Sequence, residues 1–381
     1  TASIVRDPNK CIQCSRCIRV CSEIQSVGAI EFVNRGGRTQ VLTFFNKGLN
    51  NVECTTCGQC ILACPTGALR EKTEVDNVWE AISNPKKFVV VQTAPAVRAA
   101  IGEEFGMRYG AVVTGKLVSA IKRLGANQVF DVAVGADFTT VEEAEELIER
   151  IKKPASLPML TSCCPAWVKF VEFFYPQFIP NLTTVRSPHI ILGGLIKSYW
   201  AKNQGIDPKN IVVVSVMPCV AKKYEIERDE LKIDGRKVVD FVLTTREMAW
   251  LLKKHKINLN TITPQKPDNP LGIPAGAGVI YGASGGVMES ALRTACRRLG
   301  GKGLCPLEFK EARGMKGIKK AVVNMGTKEL RLAVISGTGN AREVLEELKE
   351  DPRAYHYIEV MACPGGCIGG GGQPLPTSEA I

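Results

Sequence analysis

Cys11-Ile-Gln-Cys14-Ser-Arg-Cys17-Ile-Arg-Val-Cys21 and, further along, Cys54-Thr-Thr-Cys57-Gly-Gln-Cys60-Ile-Leu-Ala-Cys64-Pro65 share one spacing, C-x-x-C-x-x-C-x-x-x-C. Eight of the chain's 15 cysteines thus fall within its first 64 residues. Two such runs form a two-cluster iron–sulfur pattern, in which the fourth cysteine of each run ligates the other run's cluster. That rule assigns Cys11, Cys14, Cys17 and Cys64 to one 4Fe–4S cluster, and Cys54, Cys57, Cys60 and Cys21 to the other. Thiolates this close in sequence wrap one cube only if backbone amides also turn inward toward the sulfides. Zinc usually takes paired C-x-x-C units of four ligands, and a disulfide framework belongs in small secreted domains. Neither suits eight cysteines in a chain of 381 residues. Ser22 follows Cys21 where Pro65 follows Cys64, and the 32 residues between Cys21 and Cys54 predict an added loop or hairpin.

The length suggests two or three domains. A formal charge of +11 invites a nucleic-acid partner, but each oxidised cube with its four thiolates carries about −2 and offsets part of it. The lysines and arginines are also dispersed, so no nucleic-acid binding is expected. A basic surface of this kind suits an acidic electron carrier. No run approaches the roughly 18 apolar residues of a membrane span. The chain begins at Thr1 without methionine; the expected location is cytoplasmic, with a processed, periplasmic form as the alternative.

Residues 1–72 read as an α+β, ferredoxin-like cluster domain, and 73–87 as a connector whose helix over 75–83 is ended by Pro85. From residue 88 to 381 the texture is that of an α/β domain. Strands are expected over 88–92, 128–134, 157–160, 211–216, 238–243, 321–324, 332–336 and 356–360. Helices are expected over 115–124, 141–152, 245–254, 287–298 and 341–350, with glycine-rich loops at 272–286 and 365–372. Such alternation predicts an active site built from loops at strand ends.

Three later cysteine motifs each follow an expected strand: Thr161-Ser-Cys163-Cys164-Pro165, Met217-Pro-Cys219, and Met361-Ala-Cys363-Pro-Gly-Gly-Cys367. Three loops at one edge of a sheet can converge on one soft-metal site, and the surrounding glycines admit a bulky inorganic group. Cys296 and Cys305 lack such surroundings and read as buried free cysteines.

Thr161-Ser-Cys163-Cys164-Pro-Ala-Trp167, Met217-Pro-Cys219-Val-Ala-Lys222-Lys-Tyr-Glu225 and Glu359-Val-Met361-Ala-Cys363-Pro-Gly-Gly-Cys367-Ile-Gly-Gly-Gly-Gly-Gln-Pro374 resemble the three signature loops of the di-iron (FeFe) hydrogenases. Gly285-Gly-Val-Met-Glu-Ser-Ala-Leu-Arg-Thr294 and Thr93-Ala-Pro95-Ala96-Val-Arg98 match as well, in order along nearly the whole chain. The resemblance implies reversible interconversion of protons and electrons with H2 at an H-cluster. That cofactor is a 4Fe–4S cube joined to a di-iron unit with CO, cyanide and azadithiolate ligands. It further implies that Cys164, Cys219, Cys363 and Cys367 ligate the cube, with Cys367 bridging to the di-iron unit. Lys222 is expected to meet one cyanide, Pro95 and Ala96 to line the other, and Met217 and Met361 to pack against the cofactor. Cys163 is the implied last proton donor, with Glu143, Thr183, Glu146 and Arg150 leading outward.

Glu143 and Glu146, at i,i+3, share one helix face, whereas Glu142, Glu145 and Glu149 are expected to face water. A buried Lys222 needs an anionic partner, which the cyanide supplies; its neighbour Lys223 reads as exposed. Two positions depart from the family: His189 stands where glutamine is common near the bridging carbonyl, and Thr183 where serine is common in the relay. The chain stops seven residues after Pro374, so the wrapping C-terminal segment of single-chain members is either trimmed or supplied by a separate small subunit. The implied partners are ferredoxin or other electron-transfer subunits, within a larger multisubunit complex in some members. Iron–sulfur assembly factors and sensory relatives share the scaffold; retention of Cys163, Lys222 and Pro95 argues for the enzyme.

Overall fold

The computed structural model describes residues 1–268, 271–300, 310–311, 317–325 and 328–375. Cys305, expected to be a buried free cysteine, lies outside the described residues.

Two small antiparallel pairs frame the cysteine runs at the N-terminal end. Ile4–Arg6 pairs with Leu69–Glu71, joining the start of this region to its end. Glu31–Val33 pairs with Gln40–Leu42, which is the hairpin expected between Cys21 and Cys54. The connector helix, Val75–Ser83, then leads to a four-stranded parallel sheet.

That sheet is ordered Gln128–Asp131, Phe88–Thr93, Ile211–Met217, Phe241–Thr244. Val89, Val90 and Val91 lie beside Val212, Val213 and Val214, all buried. Unbroken apolar runs of this kind belong to strands covered by helices on both faces. A second, mixed sheet of five strands holds the antiparallel hairpin Ile318–Met325/Lys328–Ser336, then Tyr357–Met361 and Met159–Leu160 in parallel. The expected single sheet edge is therefore corrected. Two of the cysteine loops leave the second sheet, and the Cys219 loop leaves the first.

Several expected boundaries move. The strand expected over 157–160 shrinks to Met159–Leu160, because Pro158 has no amide to give the ladder. The strand from 128 stops at Asp131, and a helix runs Ala133–Lys152, eight residues ahead of its expected start. Its first turn, Ala133–Ala136, is buried all round, and half-buried Asp137 is followed by exposed Phe138, so these residues carry no amphipathic period. Gly135 is required there. A Cβ on it would stand 2.2 Å from the carbonyl oxygen of Pro188, in the neighbouring helix Pro188–Leu195. Phe241–Thr244 starts later than expected, and its Thr244 forms a capping box with Glu247 at the head of helix Thr245–Lys254. The glycine-rich 272–286 stretch holds a short 3-10 turn, Ala277–Gly282, before helix Gly286–Arg298. Helices Pro165–Phe174 and Pro188–Leu195 were not expected from the sequence. No helix among the described residues is long and apolar enough to cross a membrane.

Candidate functional site

The two N-terminal cysteine loops are wound alike. Gln13 (φ 56°) and Ser15 (φ 61°) in the first run match Thr56 (φ 57°) and Gly58 (φ 76°) in the second, all left-handed. For non-glycine residues this conformation costs about 1–3 kcal/mol, and it turns successive amides into a concave, anion-binding face. Cys11, Cys14 and Cys17, with Cys64 from the other run, line a cavity of about 410 Å³. Cys57 and Cys60 both lie within electrostatic reach of Cys54 and Cys21, so the second run also receives a thiol from the first. Cys14 is exposed, whereas Cys57 packs with Cys164, Cys219 and Ala362.

The three later loops and the Pro95–Arg98 turn close around a cavity of about 620 Å³. Cys163, Cys164, Cys219 and Cys367 line it, together with Lys222. Pro95, Ala96, Met217, His189 and Met361 complete the parts of the wall expected from the sequence. Cys363 is buried and interacts with Cys219, Cys164, Cys57 and Cys367. Burial pushes the thiols of Cys219 and Cys367 up to about 12. Each therefore loses its proton only to a partner that binds the thiolate, as iron does. Cys296, by contrast, is packed into the apolar core.

Lys222 has an anionic partner within the protein itself. Its ammonium donates to the carbonyl of Cys163 at 3.0 Å and pairs with Glu225 Oε2 at 2.8 Å. Burial alone would raise the Glu225 carboxyl, but Lys222 and His189 outweigh it and hold it at about 2. Burial, reinforced by Lys222, lowers the pKa of His189. Its Nε2 lies 2.6 Å from Glu225 Oε2 and its Nδ1 3.1 Å from Ser215 Oγ, which in turn accepts from Gln92. Lys223, expected to be exposed, is 1% exposed and pairs with Glu247 at 3.0 Å. The one-turn helix Lys222–Glu225 lies between Pro165–Phe174 and Phe241–Thr244, so both lysines point into protein.

On helix Ala133–Lys152, Glu143 is buried and Glu146 partly so, while Glu142, Glu145 and Glu149 are exposed as expected. Glu143 Oε2 accepts from the Tyr357 hydroxyl at 3.0 Å, and Oε1 has no partner among the described residues. Burial pushes Glu143 up to about 8, helped by nearby Glu359 and Glu146. Glu143 also acts electrostatically on Cys163, whose thiol burial holds well above its ordinary range. Farther out, Glu146 accepts from the Thr183 hydroxyl at 2.7 Å and from Arg150 at 2.6 Å. No direct hydrogen bond joins Glu143 to Cys163 or Thr183, so the inner and outer halves are separate pairs on one helix face.

Sequence reasoning missed Glu225, Ser215, Gln92, Tyr357 and Glu359. Glu225 was visible at i,i+3 from Lys222; the others come from distant segments. Glu359 is buried, accepts from the amides of Gly285 (2.6 Å) and Met288 (2.8 Å), and is pushed up to about 7 by burial. It anchors the head of helix Gly286–Arg298. The Gly369–Gly372 run is forced by close approach: a Cβ on Gly370 would lie 2.2 Å from Pro218 O, and one on Gly371 2.7 Å from Cys57 O.

Residues 87–371 match the family described as iron only hydrogenase large subunit, C-terminal domain. Residues 2–70 match the ferredoxin-like domain of NADH-quinone oxidoreductase subunit 3. The chain is 48% identical over 380 residues to the NADP-reducing hydrogenase subunit HndD of Solidesulfovibrio fructosivorans, covering 98% of this chain and 65% of that protein. It thus spans somewhat less than two thirds of that relative's length. It is 32% identical to cytosolic iron-sulfur assembly component 3 of Mus musculus, covering 93% of this chain and 78% of that protein. A solved structure of apo FeFe hydrogenase from Chlamydomonas reinhardtii superposes with a TM-score of 0.74 at 38% identity, covering 81% of this chain and 86% of that one.

Proposed function

Because this chain belongs to the iron-only hydrogenase large-subunit family, we propose that it is an FeFe hydrogenase that interconverts two protons and two electrons with H2. The observation that carries the reading is one enclosed cavity that gathers cysteine thiols, a buried ammonium and, behind Cys163, a carboxyl that keeps its proton near neutrality.

In this reading residues 1–72 form the cluster domain, 73–87 the connector and 88–381 the catalytic domain. Cys164, Cys219, Cys363 and Cys367 would hold the cube of an H-cluster, and Cys367 would also hold the di-iron unit. The buried thiols and the glycine cradle fit such a group. When bound, the H-cluster supplies the redox-active iron at which protons and electrons combine. Lys222, already fixed by Glu225, would hold one cyanide with its remaining N–H, and Pro95 and Ala96 would frame the other. Met217, Met361 and His189 would pack against the cofactor and exclude water.

The protein's own part is to hold and pass protons. Cys163 Sγ keeps a proton because burial disfavours its thiolate. The unpartnered Oε1 of Glu143 is the next acceptor, and Glu146, oriented by Arg150 and Thr183, serves the outer end. Glu143, pushed up to about 8, lies near a neutral working pH, where a carboxyl can both take and give a proton. Electrons reach the cavity through two clusters, an outer one on Cys11, Cys14, Cys17 and Cys64 and an inner one on Cys21, Cys54, Cys57 and Cys60. A ferredoxin or a partner subunit of a larger assembly supplies them at the exposed Cys14 side. Clusters of this kind near −400 mV match the proton/hydrogen couple at neutral pH.

Infrared spectroscopy of the matured protein, run beside an H2-evolution assay, tests the reading. Bands in the CO and cyanide stretching region with turnover are expected. Iron-replete protein with neither would favour the assembly-factor role that the similarity to the mouse component suggests.

A further inference from the structure

Lys169 plays no part in this scheme, and it is oddly placed. It lies on helix Pro165–Phe174, which follows the Cys163–Cys164 loop, and it is only 8% exposed. Among the described residues its ammonium makes no hydrogen bond and no ion pair. It sits instead over the ring of Tyr224, 4.2 Å from the centroid, and 5.4 Å from that of Phe173. The adjacent carboxylate, Glu172, is already taken, with its two oxygens held by Arg228 at 2.5 and 3.1 Å. Beyond Glu172 and Arg228, Lys169 lies within electrostatic reach of Cys54 and of the Thr1 ammonium, and Ala166, one turn earlier on the same helix, packs in the cluster that includes Cys57.

A cation buried without a partner costs several kcal/mol, and aromatic faces return only about 2. Cys54 offers the missing anion if it ligates a cluster. We infer that Lys169 tunes the inner cluster: its charge stabilises the reduced form on Cys21, Cys54, Cys57 and Cys60 and so raises that cluster's potential. The inference rests on the proposal that these four cysteines hold a 4Fe–4S cluster. The step is one electron, given up by the outer cluster and gained by the inner one, with no bond formed and no proton moved. The inner cube with its thiolates goes from about −2 to about −3, so a nearby positive charge favours the product. Arg6 borders the outer site, but it is partly exposed, and solvent screens it. The electron is thereby held beside the cavity, away from the exposed end of the wire.

Redox titration of the full-length, cluster-loaded protein, followed by EPR of the reduced clusters, tests this. A Cys14→Ala variant identifies the outer signal. Lys169→Met keeps the volume and removes the charge. At a given potential it should lower the reduced-to-oxidised ratio of the inner cluster on the order of tenfold, or 59 mV for one electron. The outer cluster should not move, and Lys169→Arg should titrate like the wild type. An unchanged inner cluster in Lys169→Met with iron content retained, or equal shifts in both clusters, would overturn the assignment. Lys169→Gln is read in the same way. If neither neutral variant loads its clusters while Lys169→Arg does, the lysine is structural and the tuning role is wrong. A wild-type protein with one low-potential cluster would sink the two-cluster proposal instead.

Discussion

Glu143 shows how a single carboxyl ties stability to proton traffic. Its ordinary value of 4.5 rises to about 8 in the fold, with burial the largest cause. Between those values the folded chain keeps a proton that the unfolded chain releases. The stability linked to this group is therefore fully present below about pH 4.5 and lost as pH climbs through 8. Glu143→Gln removes that dependence. In chemical denaturation, wild type should lose stability relative to the variant by up to about 1.4 kcal/mol per pH unit between pH 5 and 8, while the variant's H2 turnover collapses. Parallel stability curves for the two proteins would show that Glu143 is ionised in the fold. At this scale much of the site was legible. The cysteines gathered at the two cavities stood out by spacing and motif, and Glu143 with Glu146 by helical period. Glu225 was overlooked because a cofactor ligand was assumed to neutralise Lys222, and Lys223 was misread because nothing local marks a one-turn helix as enclosed.

The contact between helices Ala133–Lys152 and Pro188–Leu195 carries an element-scale constraint. Gly135 lets the two backbones touch, and Pro188 on the far side precedes His189 in the cavity wall. A Gly135→Ala methyl cannot be absorbed by a rotamer change, because the atom it meets is a carbonyl oxygen. Overpacking of this kind costs about 1–3 kcal/mol or more. Gly135→Ala should lower the denaturation midpoint by that amount and displace His189 enough to move the infrared bands of the loaded enzyme. Wild-type midpoint and bands together would show that the helices part freely. This contact could not be read from sequence. The first turn of Ala133–Lys152 is buried on every side and the next puts an acid beside an exposed phenylalanine, so period gave no helix signal there. The amphipathic second half was recognised without difficulty.

At the scale of the molecule, one arginine ties the ends of the chain together. Arg246 pairs with Glu71 at 2.8 Å and donates to the carbonyl of Gly371 at 2.9 Å, and also to that of Gln373. It thus fastens the last strand of the cluster region to the glycine run beside the cavity. Arg246→Met leaves Glu71, 12% exposed, without its partner. The cost should be about 3 kcal/mol, read by chemical denaturation, with slower reduction of the cavity from the outer cluster. A variant as stable as wild type would show that the clasp is incidental. Alternating strands and helices made the α/β character plain, but the split into two sheets was hidden, because strand order is set by long-range pairing that no local pattern encodes. Where the clasp holds, Cys57–Gly58 lies backbone against backbone on Gly371, and Pro218 against Gly370 and Gly372. Tunnelling between two redox centres weakens exponentially with the gap between them. In a chain wired as proposed, the missing side chains at these glycines are what keep that gap short. A methyl group on Gly371 would act as a spacer on a quantum-mechanical path, and because it would meet the carbonyl of Cys57 it would push that residue away from the cavity and slow the current.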